Sequence, residues 1–468
     1  TNTKEIPGNG IDDDKNGYTD DVHGWNFLGG KDGGMMYAVS TEADREYARL
    51  LPEYAWVKDS LQEINNKGYQ YFLSVKKQHL KDSIGRSITI DPGMVQAFHI
   101  LAIADSSMQK LTQKQHIYFE DVSSFEPKDS ILNATKQFVL HFYAMVPPGV
   151  KLWPLDSIVA NRMEYLNEQK NEQLLFAQLI NDPNELRKEI IGDNPLDIND
   201  KYYGNNIVDD SKYGSHGTHC SGIIAAARNN GIGMDGITDN VLIMPVRAGG
   251  TFHIGDESDK DIALAIRYAV DNGAKIISMS FGKSFSPQKE WVDDAVKYAE
   301  QKGVLLVHGA GNDGTDSDST AFYPNADFLD SSGRAKNMIT VGAISIDTGF
   351  ALLLSYSNYG QKNVDVFAPG ADIYSCIPGN KYEFKSGTSM ATPVVAGVAA
   401  LILEYYPNLN AEQVKDIIMK SVTSLKGKMV YKPGTKEKVD FSMLCVSGGV
   451  VNGYKALQLA EVISLHKN

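Results

Sequence analysis

Residues 241–307 decide the fold. VLIMPV (241–246), DKDIALAIRYAVDNG (259–273), AKIISMS (274–280), PQKEWVDDAVKYAEQKG (287–303) and VLLV (304–307) follow one another, short β-branched runs alternating with amphipathic helical stretches. That alternation predicts right-handed βαβ units and a parallel sheet covered on both faces. In open α/β sheets the chemistry gathers at the carboxyl ends of the strands. Here those ends carry SFG (280–282), GAGNDG (309–314) and KSGTSMATP (385–393).

Outward from this core the texture changes twice. Residues 1–39 are rich in Asp, Asn and Gly and read as loop. Residues 40–199 carry helix-period segments, TEADREYARLLPEYAWVKDSLQEI (41–64), VQAFHILAIADSSM (95–108) and NRMEYLNEQKNEQLLFAQLI (161–180), separated by the breakers DPG and VPPG, and read as a helical insertion. Residues 200–468 hold the main α/β part. With 468 residues, 42% of them hydrophobic, the chain can bury one large core or two ordinary ones. A net charge of -13 leaves no basic stripe for phosphates, which argues against nucleic acid and anionic membranes as partners. No apolar run reaches the length of a membrane span, and the opening TNTKEIPGNG is neither a start methionine nor a signal peptide; it reads as a chain that begins mid-protein. Three cysteines, Cys220, Cys376 and Cys445, allow one disulfide at most.

Two groups could do chemistry. Ser389 follows the strand-like YEFK and a Gly-Thr turn and stands at the start of a helix that tolerates Pro393 in its first turn; the alternative is a serine that merely caps a buried helix. A serine nucleophile needs an imidazole to take its proton, and His216 in SHGTHCSG (215–222) is placed to supply one. A zinc site would need His216 and His219, with or without Cys220, to converge with a further ligand, yet there is no HExxH and no paired CxxC. His219 reads better as a packed, hydrogen-bonded histidine and Cys220 as a small buried hydrophobe.

HGTHCSG, GAGNDG and SGTSMATPVVAG, in that order and widely spaced, resemble the motifs of the subtilisin-like serine proteases. SNYG, VDVFAPG and GGVVNGYKAL extend the likeness, as do the first 30 residues, whereas the helical zone lies outside it. The resemblance implies a subtilisin-like α/β fold, a doubly wound parallel sheet flanked by helices, with a large helical insertion. It also implies a serine endopeptidase acting through an acyl-enzyme, with Ser389 as nucleophile, His216 as general base and Asn312 as side-chain donor to the oxyanion. Ser278, Met279, Ser280, Phe281 and Gly282 would pair with the substrate backbone, and Gly309, Ala310 and Gly311 would line the cleft for the side chain before the cut. PVV stands where many relatives have Pro-His-Val, and His308 where a smaller residue is usual.

His216 needs a carboxylate to orient it, and the resemblance implies that this acid sits upstream, before Ser-Gly or Thr-Gly. Asp59, Asp82, Asp105, Asp129, Asp156 and Asp210 are each followed by serine, but none by Ser-Gly. Asp347 does open an Asp-Thr-Gly, in the wrong chain order for this family, and reads as a turn closing a strand. The expectation is that the aspartate precedes Thr1. The competing expectation is a silent pseudo-protease acting as a peptide-binding or interaction module.

In IDDDKNGYTDD (11–21), Asp12, Asp14, Asn16 and Asp20 could curl round a structural calcium ion; the alternative is a solvated acidic turn. No organic cofactor is expected. A polypeptide substrate is expected, together with a possible propeptide, and the family implies a secreted, periplasmic or cell-surface location.

Overall fold

The computed structural model describes residues 2–57, 66–85, 92–144, 154–159, 185–210, 214–250 and 255–465. The chain forms two compact units, Thr1–His79 with Asp182–Asn468, and Leu80–Asn181. In chain order the strands are β1 (Trp25–Asn26), β2 (Val246–Arg247), β3 (Ile276–Met279), β4 (Leu305–Gly309), β5 (Met338–Ile344), β6 (Val366–Pro369), β7 (Ile373–Ile377), β8 (Lys381–Lys385), β9 (Thr423–Ser424), β10 (Met429–Tyr431), β11 (Lys438–Asp440) and β12 (Gly449–Val450). The helices are α1 (Glu42–Tyr54), α2 (Lys67–Gly85), α3 (Pro92–Thr112), α4 (Phe119–Ser124), α5 (Ser130–Ala144), α6 (Glu185–Ile190), α7 (His216–Ala225), α8 (Asp259–Asp271), α9 (Lys289–Gln301), α10 (Thr388–Tyr405), α11 (Ala411–Lys420) and α12 (Gly453–Leu465).

The larger unit is built on a sheet of order β3-β4-β5-β6-β12-β9, parallel from β3 through β12. Because side chains alternate along a strand, each strand serves both faces. Leu305 and Val307 of β4 pack on one face with α10, α11 and α12, through Ala391, Val395, Ala399, Val414 and Ala456. Leu306 packs on the other with Ile262 and Ile266 of α8 and Val292 and Val296 of α9. This is the doubly wound α/β sheet that the alternating runs predict.

Local chemistry explains the boundaries. Ser258 caps α8, its side chain accepting from the Asp261 N–H at 3.1 Å, and Asp259 and Asp261 add negative charge where the helix dipole is positive. α9 closes at Gly303, φ +72°, whose N–H bonds to the Glu300 carbonyl. Helix α10 is 18 residues long and apolar enough to span a bilayer by length and composition, but it is mostly buried against the sheet and reads as a core helix. A β-carbon at its Gly397 would lie 2.9 Å from Ile237 Cβ, so the close approach requires glycine there.

Three expectations change in detail. The separate unit is narrower than the 40–199 span. Thr41 closes a capping box with Asp44 at the start of α1, and Glu42 accepts from the Asp259 N–H of α8, which holds this stretch in the larger unit. DPG does not only break structure, since Pro92 is the first residue of α3, where its missing N–H costs nothing. Of VLIMPV only Val246 joins a ladder, paired with Trp25, and Leu242 is 86% exposed. In the smaller unit α3, α4 and α5 enclose Phe98, Leu101, Val122, Val139 and Leu155. VPPG and the 161–180 segment lie outside the described residues.

A buried ionic cluster ties α6 to α8. Arg187 forks onto Asp193 at 2.8 Å and onto Asp261 at 2.7 and 2.8 Å, and Lys260 reaches Asp193 at 2.7 Å. Each of these side chains is at most 5% exposed. Removing one member of such a group strands the others without compensation, which costs about 3–5 kcal/mol. Arg187→Met should therefore lower stability to urea by about that amount, read from the shift in unfolding midpoint at unchanged slope.

Candidate active site

Helix α7 begins at His216, which is exposed, directly after Ser215 and Gly214. Gly214 packs tightly on Asp210, where a β-carbon would come 2.6 Å from Asp210 Cβ. The next turn of α7 is buried. His219 is fully enclosed, with Nε2 3.1 Å from the Glu383 carbonyl, and burial lowers its pKa. Burial likewise pushes the Cys220 thiol up to about 11, so it is a neutral, unreactive thiol whose Sγ donates to the Ser389 carbonyl at 3.4 Å. His219 and Cys220 thus have structural partners. Among the described residues the group of possible metal ligands is Glu5, Asp12 and Asp14.

Ser389 is the second residue of α10, and the cap is Gly387. Gly387 takes φ +150°, a conformation glycine alone adopts readily. Ser389 is therefore no capping serine; its Oγ donates to the Ser280 carbonyl at 3.1 Å. Pro393 lies a full turn further into the helix than its expected first-turn place. Lacking an N–H, it cannot bond the carbonyl four residues earlier, which is that of Ser389. Ser280 Oγ, at 2.8 Å, and Cys220 Sγ take over that acceptor. The turn carrying Ser389 is thereby bonded to the helix that begins with His216 and to the residue after β3.

Asn312 completes the group. Its Oδ1 accepts from the Thr388 N–H at 3.0 Å and from Thr388 Oγ1 at 3.1 Å, which fixes which end of the amide is the oxygen. The point where a β-carbon on Gly387 would sit is 3.5 Å from Asn312 Nδ2 and 3.7 Å from Ser389 N. Asn312 Oδ1, already paired with Thr388, lies 3.6 Å from the same point, so the amide and an N–H of the first helical turn with no partner in the helix stand on either side of Gly387. Buried Asn358, in SNYG, holds the GAGNDG loop: Nδ2 donates to the Ala310 carbonyl at 2.9 Å, and Oδ1 accepts from the N–H groups of Asp313 and Thr315 at 3.0 Å each. Thr388 and Asn358 are positioning residues that motif reading passed over, although both lie inside quoted motifs.

The subtilase family model matches residues 148–438. This chain is a subtilase. It is 39% identical over 226 residues to the thermophilic serine proteinase of Bacillus sp. (strain AK1), covering 48% of this chain and 51% of that protein. To the cell wall-associated protease of Bacillus subtilis (strain 168) it is 34% identical, over 56% of this chain and 27% of that protein. To thermitase of Thermoactinomyces vulgaris it is 36% identical, over 52% of this chain and 75% of that protein. The chain thus spans about half or less of the first two relatives.

Within this subtilase the predicted cleft residues divide. Ser278 and Met279 lie in β3, paired with Val307 and His308 of β4, and the Met279 side chain is core. Ser280, Phe281 and Gly282 follow the strand end. Gly309 and Ala310 are buried beside β5, and Gly311 leads into Asn312. His308 is 1% exposed, and its Nε2–H donates to the Phe281 carbonyl at 2.8 Å.

The candidate acids lie apart in kind. Asp210 pairs with Arg247 at 2.9 Å, Asp82, Asp105, Asp129 and Asp156 belong to the smaller unit, and Asp59 is outside the described residues. Asp347 is exposed in the bend after β5, its N–H on Ser345 Oγ, as a turn residue would be.

In the acidic loop, carboxylate oxygens of Asp12 and Asp14 lie within 4.8 Å of one another and of Glu5. Glu5 stands before the DDDKN run, so no spacing rule within the run points to it. Asp20 accepts from the N–H groups of Asn9 and Gly10 at 3.1 and 2.9 Å and Asn16 Oδ1 from the Tyr18 N–H, just as Glu5, Asp12 and Asp14 accept from backbone N–H groups of the same loop.

Burial lowers the pKa of His308 from 6.5 to about 4. The folded state therefore resists a proton that the unfolded chain accepts, so this contribution to stability is complete above pH 6.5 and is lost as pH falls through 4. The unfolding free energy from urea titrations should fall across that window by an amount on the order of 3 kcal/mol, and His308→Gln should flatten that part of the profile.

Proposed function

We propose that this chain is the catalytic part of a serine endopeptidase acting on polypeptides. The observation that carries the reading is that the Ser389 turn is bonded to the His216 helix and to Ser280, with the Asn312 amide and the Ser389 N–H beside one another at Gly387. Rotation of the Ser389 side chain away from the Ser280 carbonyl frees its oxygen to attack a peptide carbonyl. His216 takes the hydroxyl proton, and the carbonyl oxygen, now carrying the negative charge, sits between the two donors. Collapse of this tetrahedral species breaks the C–N bond as His216 passes its proton to the leaving amine, leaving the acyl group on Ser389. Water then repeats the sequence with His216 again as base, releasing the acid and restoring the serine.

The carboxylate that orients His216 is proposed to lie on a strand preceding Thr1 in the full polypeptide. In support, β3 is an edge of the main sheet, pairing with β4 on one side and with no described strand on the other. A calcium ion is proposed at Glu5, Asp12 and Asp14, whose clustered carboxylates offer the hard oxygen donors that ion prefers. Export from the cell is proposed from the likeness to the cell wall-associated protease.

With the full polypeptide, a fluorophosphonate probe should label Ser389 and leave Ser389→Ala unlabelled; absence of labelling in the unmutated protein would instead indicate a binding module. Ser389→Ala and His216→Ala should each lower kcat by a factor on the order of 10⁶, and Asn312→Leu by about 10²–10³, magnitudes that come from a subtilisin rather than from this geometry. Normal proteolysis by any of the three would refute the assignment. Chelation should lower Tm if calcium is held, and Glu5→Gln should remove that sensitivity.

A further inference from the structure

Two glycine-bearing segments, Ser280–Gly282 and Gly309–Gly311, adjoin the catalytic group on either side. Ser280 bonds Ser389 through both its hydroxyl and its carbonyl, and Gly311 precedes Asn312. The space between such glycines is where a substrate side chain would enter, but here one ring edge reaches both. A β-carbon on Gly282 would overlap Phe322 Cε1 and lie 2.5 Å from Cζ. A β-carbon on Gly311 would lie 3.0 Å from Phe322 Cζ and 3.1 Å from Cε1. The distal edge of Phe322 therefore touches both glycines.

The backbone that carries the ring is held in place. Tyr323, the next residue, exchanges backbone hydrogen bonds with Lys283, the residue after Gly282, at 2.8 and 2.9 Å. The Lys283 side chain is 1% exposed and anchored on Glu42 at 3.0 Å and Asp259 at 2.8 Å. Behind Phe322, the buried His308 ring lies 5.9 Å away, centroid to centroid, and is itself fixed by its bond to the Phe281 carbonyl. His308 is buried, and Phe322 is half-buried.

We propose that Phe322 fills the slot between Gly282 and Gly311 and restricts cleavage to bonds that follow a small side chain, such as alanine, glycine or serine. This inference rests on the protease reading above and specifies its substrate class. A large side chain would have to displace the aromatic ring, whereas a methyl group reaches only the mouth of the slot.

The test uses the full polypeptide and a series of peptide p-nitroanilides that differ only in the residue before the scissile bond. The unmutated enzyme should show kcat/KM for alanine at least roughly tenfold above that for phenylalanine, the scale at which one or two apolar groups in a pocket discriminate. In Phe322→Gly the ratio should invert, and Phe322→Leu should give an intermediate ratio. A flat ratio, or a preference for phenylalanine, in the unmutated enzyme would overturn the proposal while leaving the protease reading intact, as would an active Phe322→Gly enzyme with an unchanged ratio. Failure of both cleavage and fluorophosphonate labelling would overturn the protease reading and this proposal with it.

Discussion

The carbonyl of Ser389 has no helical donor because the residue four positions on is proline, and most of the site follows from that vacancy. A buried acceptor left unpaired costs about 1–3 kcal/mol, so other donors are drawn to it. They come from Ser280, beyond the end of β3, and Cys220, one turn into the histidine helix. One missing N–H thus joins three elements that are 109 and 169 residues apart in sequence from the serine. The two bonds also fix which way the first turn of α10 faces, and with it the direction of the Ser389 N–H.

On the other side of that turn, Asn312 is constrained by its oxygen rather than its nitrogen. Thr388 supplies two donors to Oδ1, so an exchange of the amide's oxygen and nitrogen would set N–H groups against N–H and O–H donors. The loop behind it is held by Asn358, which satisfies three backbone groups from one buried side chain. Donors fixed in this way need no reorganisation when charge develops in front of them, which is the condition under which they lower a barrier.

Sequence alone conveyed the sheet and the three motif-bearing loops, because strand and helix periods alternate cleanly from 259 to 307 and the loops occupy strand ends. It named Ser389, His216 and Asn312 as the proposed catalytic group, and it read His219 and Cys220 as packed residues; in the structure they bond the Glu383 and Ser389 carbonyls. What it could not convey depends on contacts between distant segments. Glu5 meets Asp12 and Asp14 through the folding of a loop with no fixed period. The split of the helical zone at residues 79 and 181 depends on Glu42 finding Asp259, more than two hundred residues away. Phe322 in the sequence AFYPN looks like an ordinary loop aromatic; only the approach of two glycines gives it a role.

Glu42 also connects the first fifty residues to the cleft. Its carboxylate meets Arg45 at 3.2 Å and Lys283 at 3.0 Å; burial alone would raise its pKa, but these two cations overcome that and hold it at about 2. Buried ion pairs are weak sources of net stability, because desolvation offsets their attraction. Their geometry is nevertheless demanding: Lys283 must point inward to reach Glu42 and Asp259, and its backbone must then present Gly282 to the Phe322 ring. A neutral, well-packed replacement could match the stability of this network while leaving that backbone free to shift. The charges are better understood as holding the substrate-facing strand at a set distance from Gly311, a distance on which both the width of the slot and the alignment of a bound peptide with Ser389 depend.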